Sequence, residues 1–64
     1  MITLTTSDGE YRGRAIDSII RRVYGRRACL AAQDMIVEPA YGAYRVLARA
    51  ISWTDNDDNT TYFA

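Results

Sequence analysis

RAIDSIIRRVYG, running from Arg14 to Gly25, is the one stretch of this chain with a clean helical period. Ile16, Ile19, Ile20 and Val23 recur at i, i+3, i+4 and i+7, while Arg14, Asp17, Ser18, Arg21 and Arg22 fall on the opposite face. Asp17 stands four residues before Arg21, the favourable order for a helical ion pair. Arg21 and Arg22 in the last turn suit the negative end of the helix dipole. Gly25 occupies the place where a residue of positive φ closes a helix. The spacing predicts an amphipathic helix over 14–24 that needs another layer to cover its isoleucines.

On the N-terminal side, Ile2, Leu4 and Thr6 alternate with Thr3 and Thr5, the period-two pattern of a half-buried strand rich in β-branched residues. Asp8-Gly9 follows, a strong hairpin signal because its two turn positions tolerate positive φ. A hairpin over 2–12 is expected, with Gly13 releasing the chain into the helix. On the C-terminal side two readings stay open for Ala28 to Gln33: a helix on alanine propensity, or a strand with Ala28, Leu30 and Ala32 facing inward. Met35-Ile36-Val37 favours extended structure, Pro39 pushes Glu38 away from helix, and Ala40-Tyr41-Gly42 reads as a turn.

For residues 43–54 the period fits a helix through Tyr44, Leu47, Ala48 and Ile51 as well as a strand with Arg45, Leu47, Arg49, Ile51 and Trp53 on one side. The sheet-loving types Tyr44, Val46, Ile51, Trp53 and Thr54 favour the strand, and the polar run Asp55 to Asn59 supplies a turn before a return strand at 60–63. The expected fold is a single α+β domain over 1–64. It has a hairpin, the helix, strands within 28–37, 43–54 and 60–63, and the helix packed across a small antiparallel sheet. The alternative is an all-α three-helix chain.

Composition narrows the chemistry. At 64 residues and 48% apolar content, one thin core is expected. The start, Met1 to Thr6, lacks the basic and apolar segments of a secretory signal, and no apolar run reaches the roughly 18 residues of a membrane span. Cys29 is the only cysteine, so no intrachain disulfide forms and a cytoplasmic setting is expected. Its small apolar neighbours predict a buried, inert thiol.

The chain has no histidine, hence no Ser-His-Asp or Cys-His site. Asp8, Glu10 and Asp17 read as turn and helix-face residues, because carboxylate pairs that do acid–base work need a cleft of about 300 Å³ or more. Asp55, Asp57 and Asn59 imitate the first half of a calcium loop, but Thr60 stands where that loop requires glycine, and a polar turn is the better reading. Gly9, Gly13, Gly25 and Gly42 are isolated and make no phosphate cradle. A non-enzymatic chain without metal or cofactor is expected.

What stands out is charge. All eight basic residues are arginine, and Arg12, Arg14, Arg21, Arg22, Arg26 and Arg27 lie within sixteen positions, opposed only by Asp17. A guanidinium recognises carboxylate or phosphate bidentately, although arginine usage reaching Arg45 and Arg49 also fits a codon preference. Tyr11 and Tyr24 flank the cluster. The expected contacts are Arg14, Arg21, Arg22, Tyr24, Arg26 and Arg27, with Asp55, Asp57 and Asp58 as an alternative acidic edge that imitates phosphates.

A formally neutral chain of pI about 6.1 does not have the balance of a dedicated nucleic-acid binder. Opposed charged surfaces suit docking on a larger protein or nucleoprotein complex, or association with a second copy; nucleic acid is a further partner, and a membrane is not expected. In its format, very short, histidine-free and without catalytic groups, the chain resembles the small inhibitor proteins of phages and mobile elements, anti-CRISPR proteins among them. The resemblance is one of size and style and rests on no motif. It implies steric occlusion of a larger complex. The other readings are a nucleic-acid-binding accessory protein and a structural homo-oligomer component.

Overall fold

A computed structural model describes residues 1–63, and in it the stretch Ala43–Asp55 is one strand of 13 residues along which the rest of the chain is arranged. The elements are β1 (Ile2–Thr6), β2 (Gly9–Gly13), α1 (Ile16–Tyr24), β3 (Cys29–Leu30), β4 (Met35–Ala40), β5 (Ala43–Asp55) and β6 (Thr60–Phe63). All pairings are antiparallel, in the order β2-β1-β5-β4-β3, with β6 also on β5. The fold is α+β with the helix against the sheet, and the three-helix alternative does not hold.

β1 and β2 form the expected hairpin, from Ile2 opposite Gly13 to Thr6 opposite Gly9. Its turn sits one residue earlier than Asp8-Gly9: Ser7 and Asp8 are the loop, and only Gly9 takes positive φ, at 142°. The Thr6 hydroxyl explains the shift, since its Oγ1 accepts the Asp8 N–H at 3.1 Å and lies 3.3 Å from the Gly9 carbonyl. The helix also begins later than expected. Ala15 is extended (φ −146°, ψ 155°) and supplies the first helical carbonyl, to Ile19 N–H at 3.1 Å, so Arg14 lies in the link from β2. Gly25 closes the helix at φ 114°, its N–H donating to the Arg21 carbonyl at 3.1 Å. The Asp17–Arg21 ion pair does not form: both side chains are exposed and lie further than 4.0 Å apart.

The core is Leu4, Ile19, Ile20, Ala28, Ile36, Ala48 and Ala50, with Ile16, Val23, Leu47 and Trp53 packed against it. Small residues lie where backbones approach. Ala48 and Ala50 form the floor beneath the helix layer, and a Cβ on Gly13 would stand 2.6 Å from Ile19 Cγ1. The expected inward set on residues 28–32 holds for buried Ala28 and half-buried Leu30, but Ala32 is exposed. There the chain leaves the sheet in a 3-10 turn, Ala32–Asp34, with Gln33 and Asp34 at φ 62° and 56°.

Strand β5 does not keep one alternation. Its register slips at Leu47, between the pairs Ile36–Ala48 and Val37–Val46, and again at Ile51, between Thr6–Ala50 and Thr5–Ser52. Each bulge inserts an extra residue and shifts the side-chain parity. Ala48, Ala50 and Trp53 therefore share the core side, and the expected single face from Arg45 to Trp53 does not exist.

Candidate protein-interaction surface

The six clustered arginines are all exposed, and each is placed by a different piece of chain. Arg12 is on β2, Arg14 is in the link to α1, Arg21 and Arg22 are on the outer face of α1, and Arg26 and Arg27 are in the turn after it. Among the described residues, the cation–carboxylate pairs within 4.0 Å are the Met1 amine with Asp57 (3.1 Å) and Arg45 with Glu38 (4.0 Å). No arginine of the cluster takes part. Arg22 does have a local partner: its Nη2 donates to the Arg12 carbonyl, tying the helix to the sheet edge. Among the described residues the guanidinium groups of the cluster form no other hydrogen bond.

Tyr24 is partly buried at the end of α1. Its hydroxyl donates to Asp8 Oδ2 at 3.1 Å and lies 3.0 Å from the hydroxyl of buried Thr6, and its ring meets Tyr11 edge-on, centroids 6.3 Å apart. Burial raises the Tyr24 pKa, with the Thr6 hydrogen bond opposing and Asp8 and Tyr11 adding to the rise. The residue therefore locks the end of α1 onto the β1–β2 turn.

The acidic edge is also largely occupied with its own loop. Asp55 Oδ1 accepts the Asp57 N–H at 3.0 Å and Asp58 Oδ1 accepts the Thr60 N–H at 2.9 Å, both aspartate turns of the common kind. Asp57 contacts the Met1 amine, Asn56 Nδ2 donates to Thr3 Oγ1 at 2.8 Å, and Asn59 takes φ 58°. Among the described residues no group of three or more His, Cys, Asp or Glu is arranged to hold a metal ion. The expected buried thiol is a correction: Cys29 is exposed, because β3 is a two-residue strand at the margin of the sheet and the alternation that buries Ala28 turns its neighbour outward.

Sequence reading missed a groove. An open depression of about 440 Å³ lies between the start of α1 and the far end of β5. Ile2, Ile16, Leu30 and Trp53 give it an apolar floor, and Trp53 stacks on Tyr62 with centroids 5.9 Å apart and planes at 22°. Arg14, Asp17 and Asp55 stand among its lining groups. Only the pairing of β1 and β6 with β5 gathers these residues. The available signal was Trp53 and Tyr62 at matching distances from the Asn56–Asn59 turn. Arg14 joins the groove to the cationic helix face, whose other end, at 1.5 Å per residue, is about 14 Å away.

No protein-family model, curated protein or solved structure matches this chain. No described helix is long and apolar enough to cross a membrane.

Proposed function

We propose that this chain is a non-enzymatic interaction module that docks on an acidic surface of a larger protein or nucleoprotein assembly. It acts there as an inhibitor or adaptor by steric cover. The contact is made by Arg14, Arg21, Arg22, Arg26 and Arg27, with the Trp53–Tyr62 groove beside Arg14 receiving an apolar side chain of the partner. One observation carries the reading: the exposed arginines of residues 12–27 have no carboxylate partner of their own within 4.0 Å among the described residues. A charged surface spent on internal pairs would have little left to offer, whereas this one steers an anionic partner and sets orientation. Tyr24 is withdrawn from the contact set, since its hydroxyl is engaged with Thr6 and Asp8.

The test is affinity capture from source-cell lysate by the tagged protein and by its Arg21→Glu/Arg22→Glu variant, with circular dichroism confirming that both are folded. Loss of the captured protein in the variant supports the reading; undiminished recovery overturns it. The same free guanidinium groups also favour a nucleic-acid partner. Fluorescence anisotropy with single- and double-stranded probes at about 50 and 200 mM salt separates the two, because phosphate contacts give a steep loss of affinity with salt.

A further inference from the structure

The β4–β5 hairpin carries an edge that the rest of the fold leaves bare. Its loop is Tyr41-Gly42, closed by Ala40 opposite Ala43, followed by Pro39 opposite Tyr44, Glu38 opposite Arg45 and Val37 opposite Val46. In such a ladder hydrogen-bonded and non-hydrogen-bonded pairs alternate, and the pair closing a two-residue loop is hydrogen-bonded. Pro39, which has no N–H, accordingly falls on a non-bonded pair. The backbone groups of Tyr44 and Val46 then point away from β4. Further along, that same side of β5 is occupied: Ser7 N–H donates to the Arg49 carbonyl at 2.8 Å, and Arg49 N–H donates to Ser7 Oγ at 3.1 Å. β1 pairs only with the part of β5 from Ala50 to Asp55. Between Ala43 and Ala48, therefore, no described strand lies on this side.

The margins at β2 and β4 are guarded. β2 alternates exposed Glu10 and Arg12, and β4 presents Pro39 and is partly covered by β3. The bare edge instead carries apolar side chains, with Tyr44 72% and Val46 58% exposed and Tyr41 fully exposed at the tip.

We propose that this edge is a self-association site, where a second copy of the chain adds its own β5 in antiparallel register about a two-fold axis at Arg45. That register sets Tyr44 opposite Val46 of the second copy, and the reverse, so the free N–H and C=O groups of both residues are paired on both chains. Each cross-strand pair is aromatic against β-branched, a favourable combination. The bare stretch is short: the bulge at Leu47 breaks the ladder beyond Val46, and Ser7 occupies this side at Arg49, so the added pairing is confined to Tyr44, Arg45 and Val46. The two Arg45 side chains meet across the axis, but each is accompanied by its own Glu38 at 4.0 Å, and the formal net charge of zero removes long-range repulsion between copies.

The size of the contact fixes its strength. At about 150–250 Å² each, Tyr44 and the tip residue Tyr41 contribute at most roughly 1,000 Å² over both copies, short of the about 1,200 Å² of a stable complex. The dimer is therefore weak and concentration-dependent.

Sedimentation velocity from about 5 µM to 1 mM tests this, together with amide exchange of Tyr44 and Val46 at both ends of the range. The mass is expected to rise from 7.2 kDa towards twice that value, with both amides gaining protection at high concentration. Val46→Lys, at an exposed site and checked for fold by circular dichroism, is expected to raise the dimer Kd about tenfold or more. At about 0.5 M salt, where the added net charge is screened, Arg21→Glu/Arg22→Glu should leave dimerisation unchanged, which keeps this result separate from the helix-face reading. A monomer at every concentration overturns the proposal, as does a dimer that Val46→Lys does not weaken or in which Tyr44 and Val46 stay unprotected.

Discussion

A methyl group placed on Gly13 tests the closeness of the helix to the sheet. The added Cβ would lie 2.6 Å from Cγ1 and 3.4 Å from Cδ1 of Ile19, a side chain with no exposed surface. Cγ1 is the root of that side chain, not its flexible end, and fully buried Ile20 and Leu4 belong to the same core cluster. The helix therefore has to lift or Ile19 has to leave its rotamer. Overpacking of this kind costs about 1–3 kcal/mol, while alanine recovers about 0.4–1 kcal/mol by restricting the unfolded chain. The net for Gly13→Ala is a destabilisation of about 1–2 kcal/mol, or roughly 5–15 °C in Tm for a domain of this size. Thermal circular dichroism and urea unfolding followed by Trp53 fluorescence read it directly. The sign should reverse when Ile19 is shortened. In an Ile19→Ala background, held folded with sulfate, the methyl at 13 fills part of the cavity and should raise the midpoint. A Gly13→Ala protein as stable as the parent would show that the helix does not sit against β2 as described.

Tyr24→Phe should cost about 0.5–1.5 kcal/mol at neutral pH by removing the hydroxyl held between Thr6 and Asp8. The parent protein should lose stability as pH climbs above the ordinary tyrosine value of about 10, because the unfolded chain ionises first while burial keeps folded Tyr24 protonated. That part of the alkaline loss is complete once pH exceeds the raised folded value, and urea midpoints between pH 8 and 12 should show it missing from the phenylalanine variant. Cys29, exposed at the sheet margin, should react fully with a thiol reagent such as dithionitrobenzoate in the native protein, at a rate unaffected by sub-denaturing urea; a rate that tracks unfolding would contradict its placement. Gln33→Gly should stabilise by about 0.5–1 kcal/mol in chemical denaturation, since Gln33 holds φ 62° in a region where glycine carries no Cβ penalty.

Local patterns in the sequence were reliable where one period ran without interruption. Ile16, Ile19, Ile20 and Val23 announce the helix because nothing between them breaks the 3.6-residue repeat, and the alternation of Ile2, Leu4 and Thr6 does the same for β1. Across 43–54 the strand was legible from residue type, but its faces were not: the bulges at Leu47 and Ile51 exist only because partner strands of different register meet β5. Cys29 was misread for a related reason, since its apolar neighbours say that the region is buried but not which way a two-residue strand turns each side chain. Of the proposed contact residues, the arginines were legible because charge this dense finds too few carboxylates nearby in sequence. The engagement of Tyr24 was not, since Thr6 and Asp8 lie 18 and 16 residues away.

The length of β5 connects the features that remained hidden. At about 3.3 Å per residue, 13 residues span roughly 43 Å, close to the 40 Å long axis of the molecule, whereas β1, β4 and β6 have only five, six and four residues. Strands this short cannot cover both margins of one so long. β1 occupies the far half of one margin and leaves Tyr44 to Val46 bare, while β4 and β6 divide the other half by half. The nine-residue helix is likewise too short to roof the whole sheet, and the groove at Trp53 and Tyr62 opens where it begins. Shortening β5 while keeping its core residues, by deleting Tyr41 to Tyr44 and rebuilding a two-residue turn, should therefore abolish self-association yet leave the helix face and the groove intact. The loss of the groove in such a variant would mean that the two ends of β5 depend on each other, and that the strand is not the rigid spine on which each site is built separately.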